Sequence, residues 1–180
     1  MSDFPYTIRN AIESDAEGIA FVHVNSWRTS YAGIIDPSFL ENISYDKHLA
    51  SWKEILQSKN SQELVILFEG KIVGFAGFGP VRLESCIDHP LLKDKNANIG
   101  EVYAIYLLEQ HKGKGCGKAL FNKCRFHLSQ EGFESFVVRA LTDNVRARSF
   151  YENEGGKLMR EISIIIGDKS YPEVFYLFTV

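Results

Sequence analysis

The sequence predicts an α/β domain, a mixed and mainly antiparallel sheet of six or seven strands flanked by helices. Two observations carry this. Short runs rich in Val, Ile, Leu and Phe recur along the chain, bounded by glycines or charged turns, as strands require. Between them lie stretches whose apolar residues return at helical spacing, and one of these follows a strand through a cluster of glycines and lysines.

The 180 residues fit one domain spanning 1–180 and can bury one core. A hydrophobic fraction of 45% with 24% charged residues argues against disorder. No window supplies the roughly 20 apolar residues that cross a bilayer, and Met1-Ser2-Asp3-Phe4-Pro5 lacks a basic region followed by an apolar run. A cytoplasmic location with no membrane partner is the expectation. The three cysteines, Cys86, Cys116 and Cys124, are odd in number and lack metal-ligand spacing, so neither a disulfide framework nor a metal site is expected. A formal net charge of −3 argues against a general nucleic-acid binder.

Tyr6–Asn10 has a short strand pattern. Ser14 and Glu17 have the spacing of a capping box, so a helix is expected to start there. Its apolar face is Ala16, Ile19, Ala20, Val24 and Trp27, and Gly33 and Pro37 interrupt it. His23 lies near that face and reads as a packing histidine, because no second ligand sits at metal spacing. A second amphipathic helix is expected over Asp46–Gln57, with Leu49, Trp52 and Leu56 inward. Glu63–Phe68 and Ile72–Phe78 flank Glu69-Gly70-Lys71 as a hairpin, with Gly74, Gly77 and Gly79 in its second arm. Pro80–Asn98 reads as a long loop. Gly100–Leu108 is the next strand, Lys118–Leu128 a helix, Phe136–Leu141 a strand, and Asn144–Asn153 a short helix ended by Gly155-Gly156. Ile162–Ile166 and Val174–Phe178 close the sheet.

The main chemical signal is Gln110-His111-Lys112-Gly113-Lys114-Gly115-Cys116-Gly117-Lys118, between a strand and a helix. There, successive backbone N–H groups and the helix dipole can converge on one anion. The glycines allow close approach and the positive φ angles such a turn uses, and Lys112, Lys114 and Lys118 add charge. The alternative is a solvated loop with its lysines outward. A Walker A loop fails, since the residue five before Gly117 is Lys112 and Lys118 is followed by Ala119. A dinucleotide fingerprint fails because position 118 is lysine where a third glycine is needed.

Lys112-Gly113-Lys114-Gly115-Cys116-Gly117 instead resembles the Arg/Gln-x-x-Gly-x-Gly/Ala turn of the GNAT acetyltransferase superfamily, with Lys112 standing where Arg or Gln is usual. A lysine there offers a point charge in place of a bidentate contact. Glu101-Val102-Tyr103-Ala104-Ile105-Tyr106-Leu107 is similar to the strand that precedes this turn in the family. Asn144-Val145-Arg146-Ala147-Arg148-Ser149-Phe150-Tyr151 is similar to its Asn-x-x-Ala-x-x-Phe-Tyr helix. Ile8-Arg9-Asn10-Ala11, Asp15 and Trp27–Ile35 extend the resemblance toward the amino terminus.

The resemblance implies a GNAT-type acyl-CoA N-acyltransferase fold, and an enzyme that moves the acetyl group of acetyl-CoA directly to a primary amine of a small molecule, peptide or protein. A non-catalytic acyl-CoA sensor or interaction module is the alternative. The turn, Lys112 through Lys118, would hold the coenzyme phosphates. Backbone groups of Ile105, Tyr106 and Leu107 would pair with the pantetheine arm, and Asn144 would reach the same arm or simply cap its helix. Tyr151 would protonate the leaving thiolate, since a phenol with a reference pKa of about 10 stays protonated near neutrality; otherwise it is a core aromatic. Glu101 is the candidate base, or else an ion-pair partner, and Tyr103 is its reserve on the same strand face. Trp27, Arg28 and Tyr31 would approach the acceptor, with Phe75 and Phe78 facing them from the hairpin. Cys116 reads as a small loop residue. Family members often form dimers, so a homodimer is expected.

Overall fold

β1 (Tyr6–Asn10) pairs antiparallel with β2 (Gln62–Phe68), with Ile8 opposite Ile66. These and the elements below belong to a computed structural model that describes residues 4–58, 61–82 and 98–180. Cys86 and most of the loop expected over Pro80–Asn98 lie outside the described residues. β2 turns into β3 (Lys71–Pro80) through Glu69 and Gly70, both with positive φ (49° and 75°). That is the handedness a two-residue hairpin needs to match strand twist.

Three helices follow β1: α1 (Ala16–Ser30), α2 (Pro37–Glu41) and α3 (Tyr45–Gln57). The expected Ser14–Glu17 box does not start α1. A 3-10 turn over Glu13–Asp15 leads into it, and the buried Asp15 carboxylate accepts the Ile12 N–H at 2.8 Å and Arg9 at 2.6 and 2.9 Å. Arg9 holds the Asp15 carboxyl below the ordinary carboxylate range. A charged partner from β1 prevails over a neutral cap because charge-assisted bonds are the stronger kind. α3 starts where Ser44 accepts the Lys47 N–H, close to the expected boundary. α2 was not foreseen: Asp36 caps it through the Ser38 N–H at 2.8 Å, and Pro37 occupies the first helical position, where proline is favoured.

The remaining elements are β4 (Ile99–Leu107), α4 (Cys116–Gln130), β5 (Ser135–Leu141), α5 (Val145–Asn153), β6 (Lys157–Ile166) and β7 (Lys169–Thr179). The seven strands form one mixed sheet in the order β1-β2-β3-β4-β5-β7-β6, with helices flanking it. β4 and β5 run parallel, from Ile99 opposite Ser135 to Val102 opposite Val138. β5 then continues against β7 to the pair Leu141–Glu173. Among the described residues, no helix is long and apolar enough to cross a membrane.

The chain divides into two compact units, Met1–Gly77 with Ala104–Cys124, and Phe78–Tyr103 with Arg125–Val180. In the first, Ala16, Ile19, Ala20 and Val22 of α1 pack with Trp52, Val65 and Phe75 into one cluster. Gly74 permits the close approach there: a Cβ would stand 2.3 Å from Leu107 Cδ2 and 2.8 Å from the Tyr106 carbonyl oxygen. In the second, Phe136 and Phe178 stack at 4.9 Å, 9° from parallel, and Gly156 lets α5 end against Phe178.

Candidate active site

In the first unit, a 3-10 turn over Glu109–His111 follows β4, and Gly113 and Gly115 then adopt φ of 73° and 83°. Space does not demand glycine at 115, since a Cβ would meet only Phe4 at 3.8 Å; the left-handed backbone does. α4 starts directly after, its first helical bond running from the Ala119 N–H to the Gly115 carbonyl. The N–H groups at the start of a helix have no intrahelical acceptor, and with the helix dipole they form an end that can receive an anion. The helix begins two residues before the expected Lys118, which puts Cys116 and Gly117 on it.

The lysines differ. Lys114 and Lys118 are exposed, whereas Lys112 Nζ lies 2.7 Å from Glu109 Oε2 and 2.9 Å from Ser30 Oγ. Behind the turn, Tyr6 Oη and His111 Nδ1 are 3.1 Å apart. Cys116 is fully buried, and burial pushes its thiol up. The Leu107 carbonyl, expected to help hold a pantetheine arm, accepts the Ser26 hydroxyl at 2.9 Å.

Trp27 of α1 and Tyr31, the residue that follows the helix, stand in an aromatic group with His23, Trp52, Phe75 and Tyr106. Tyr31 and Tyr106 share a hydroxyl contact of 3.0 Å. Trp52 Nε1 donates to His23 Nδ1 at 3.1 Å, and burial pushes His23 down to about 3, so it packs as a neutral ring. Arg28 bonds the Leu40 and Ile43 carbonyls at 3.2 Å, so its guanidinium ties α1 to the end of α2. Phe75 joins the aromatic group and Phe78 does not: it stacks on His127 in the second unit. Three residues apart on a strand, the two rings leave opposite faces.

In the second unit, Glu101 is fully buried and all its acceptor capacity is in use. Oε1 accepts from Arg82 Nη2 at 2.6 Å and Arg139 Nε at 3.1 Å; Oε2 accepts from Arg82 N at 3.0 Å and Nε at 3.2 Å. Arg82 also lies 4.3 Å over the Tyr103 ring, and the Tyr103 hydroxyl donates to the Pro80 carbonyl at 2.6 Å. A carboxylate with its lone pairs engaged by guanidinium and amide donors is an organising anion.

Arg139 also reaches Glu173 on β7, with Nη1 3.5 Å from Oε2. That contact is electrostatic only, since the buried Oε2 makes no hydrogen bond. Burial raises the Glu173 carboxyl above its ordinary range, Arg139 opposes this, and Glu101 adds to it.

Asn144 caps α5, its Oδ1 accepting the Ala147 N–H at 3.1 Å. Tyr151, on the same helix, is 7% exposed and packs against Phe150, Tyr176 and Phe178. A phenol in this setting can donate a proton at its tip while its ring holds position.

The sequence profile of the acetyltransferase (GNAT) family matches residues 25–155. The chain belongs to this family. It is 36% identical over 140 residues to the uncharacterized N-acetyltransferase YuaI of Bacillus subtilis, covering 77% of this chain and 73% of that one. A probable N-acetyltransferase of Mycobacterium tuberculosis is 28% identical over 149 residues, covering 82% and 77%. The fold is shared with the PaiA N-acetyltransferase of Thermoplasma acidophilum in complex with coenzyme A (TM-score 0.69, 20% identity, 93% and 97% covered). It is shared too with the putative acetyltransferase yncA of Salmonella typhimurium with acetyl-CoA (0.68, 20%, 97% and 94%).

Arg82, Arg139 and Glu173 escaped the reading of the sequence. One signal was available: Arg139 interrupts the apolar run Phe136–Leu141 and Glu173 precedes the run Val174–Phe178. A charge within a strand that is buried on both faces needs a counter-charge.

Proposed function

We propose that this protein is an N-acetyltransferase that moves the acetyl group of acetyl-CoA directly to a primary amine of a small molecule, peptide or protein. The observation that carries the reading is the turn at Gly113 and Gly115, whose left-handed glycines open α4 directly after a strand in a GNAT chain. The pyrophosphate is assigned to the N–H groups of residues 113–118, with Lys114 and Lys118 supplying charge and Lys112 joining once it leaves Glu109. Ile105 and Tyr106 retain the assigned backbone role toward the pantetheine. Asn144 acts through its cap.

Transfer needs a neutral amine, a polarised carbonyl and a proton for the departing sulfur. Tyr151 is assigned the last of these. The aromatic group of Trp27, Tyr31 and Tyr106 suits the apolar part of an acceptor, and Arg28 supports that wall from behind. A cytoplasmic enzyme acting as a homodimer accords with this reading.

Calorimetry with acetyl-CoA, coenzyme A and ATP tests it. Micromolar binding of the first two without ATP is the expected outcome, and thiol release with an amine panel then separates an enzyme from a non-catalytic acyl-CoA sensor. Absence of coenzyme binding would sink the reading.

A further inference from the structure

We propose that Phe4 is the platform on which the coenzyme adenine stacks. This rests on the function proposed above, in which the N–H groups of residues 113–118 hold the coenzyme diphosphate.

Phe4 lies at the glycines of the turn. Among the described residues, a Cβ on Gly113 would meet nothing within 4 Å, and one on Gly115 would meet Phe4 Cε2 at 3.8 Å. The Phe4 ring is 42% exposed, and Gly113, Lys114 and Gly115 are exposed beside it.

The ring is held from behind by other rings. Its centroid lies 5.1 Å from that of Tyr6, and Tyr6 lies 5.1 Å from Phe68 and 5.7 Å, edge-on, from His111. The Tyr6 Oη to His111 Nδ1 contact of 3.1 Å fixes that arrangement, and the buried His111 closes the 3-10 turn that leads into the glycines. Phe4 is thus the outermost ring of a group anchored in the segment assigned to the diphosphate. Every member belongs to the first compact unit.

In coenzyme A a single ribose separates the adenine from the diphosphate. A diphosphate seated at Gly115 therefore leaves the base within reach of a ring beside that residue. A purine offers a π face to an exposed aromatic side chain, and stacking needs no matched hydrogen-bond donors. Phe21 is the other exposed ring near this segment: it lines an open groove with Gln110 and His111, away from the two glycines.

The test measures coenzyme A affinity by calorimetry and the adenine H2 and H8 resonances of bound coenzyme A by proton NMR. Wild type is compared with Phe4→Leu, Phe4→Tyr and Phe21→Leu. Leucine keeps an apolar side chain over Tyr6 but has no π face. Phe4→Leu should weaken coenzyme A about tenfold, within the range that base–aromatic stacking supplies. Its melting temperature should stay within about 2 °C of wild type, because the ring is half exposed. Both adenine resonances should move upfield on binding to wild type, and leucine should abolish that ring-current shift at saturating ligand. Phe4→Tyr should restore both readouts, and Phe21→Leu should leave both unchanged. A contact of this size supplements the grip on the diphosphate and pantetheine, so ATP, which lacks the pantetheine arm, stays a weak ligand.

An affinity of Phe4→Leu within about twofold of wild type, or no upfield shift in wild type, overturns the assignment. So does a weakened affinity with the shift intact, because Phe4 would then only shape the turn. A shift lost in Phe21→Leu moves the platform to that ring and overturns it as well. Wild type that binds no coenzyme A overturns the proposed function, and this assignment with it.

Discussion

The glycine turn and the Glu101 cluster are built in opposite ways. The turn is made of consecutive residues, 109–119, and works through backbone angles and a helix end. The cluster draws Arg82, Glu101, Arg139 and Glu173 from four separate stretches of chain and works through side-chain charge. A site of the first kind tolerates changes of side chain but not of conformation. A site of the second kind fails when the anion that its cations share is removed.

The sharpest way to break that contrast is Glu101→Gln. Removing the anion leaves two arginines facing a neutral amide, and loss of a buried ion-pair partner costs about 3–5 kcal/mol. The half-exposed Arg82 places the expected loss near the lower end, read as a fall in denaturation midpoint. If stability instead stays within about 0.5 kcal/mol, the cluster is not the charge-dependent element described.

Tyr151→Phe comes next. It keeps the ring packing against Tyr176 and Phe178 but removes the proton, so kcat should fall by about 100-fold, roughly 2.7 kcal/mol, with acetyl-CoA affinity retained. Full turnover across pH would move the acid elsewhere. Gly115→Ala probes the turn: a side chain at φ 83° costs about 1–2 kcal/mol, and coenzyme affinity should weaken about tenfold as the loop shifts. An unchanged affinity by calorimetry would mean that the turn is misassigned.

The smallest effect belongs to Glu109→Gln. It frees Lys112 from a contact to a half-exposed carboxylate, and such pairs are worth about 0.2–1 kcal/mol. Coenzyme should bind up to several-fold tighter, less so at high salt. A weaker affinity would show that Glu109 orders the turn instead of competing for its lysine.

The same contrast explains what the sequence revealed. β1 was readable to its ends, and so was the turn, because strand alternation and glycine placement are local properties. The family resemblance placed Tyr151 on its helix, since that motif is also contiguous. Glu101 was recognised as a candidate, but its two arginines lie 19 and 38 residues away and no spacing rule connects them. α2 is harder to read although Asp36-Pro37-Ser38 carries a cap and a first-turn proline, because a proline marks a break as readily as a first helical turn. The Ser14–Glu17 box misled because Arg9, brought close by folding, gave Asp15 the stronger role.

Cys116 sits in the very turn assigned to a coenzyme whose product form is a thiol. Thiol–disulfide exchange requires an accessible thiolate, and this sulfur is neither accessible nor readily ionised. The turn is thereby insulated from mixed-disulfide formation with coenzyme A, and an oxidising shift in the surrounding thiol pool leaves it chemically unchanged.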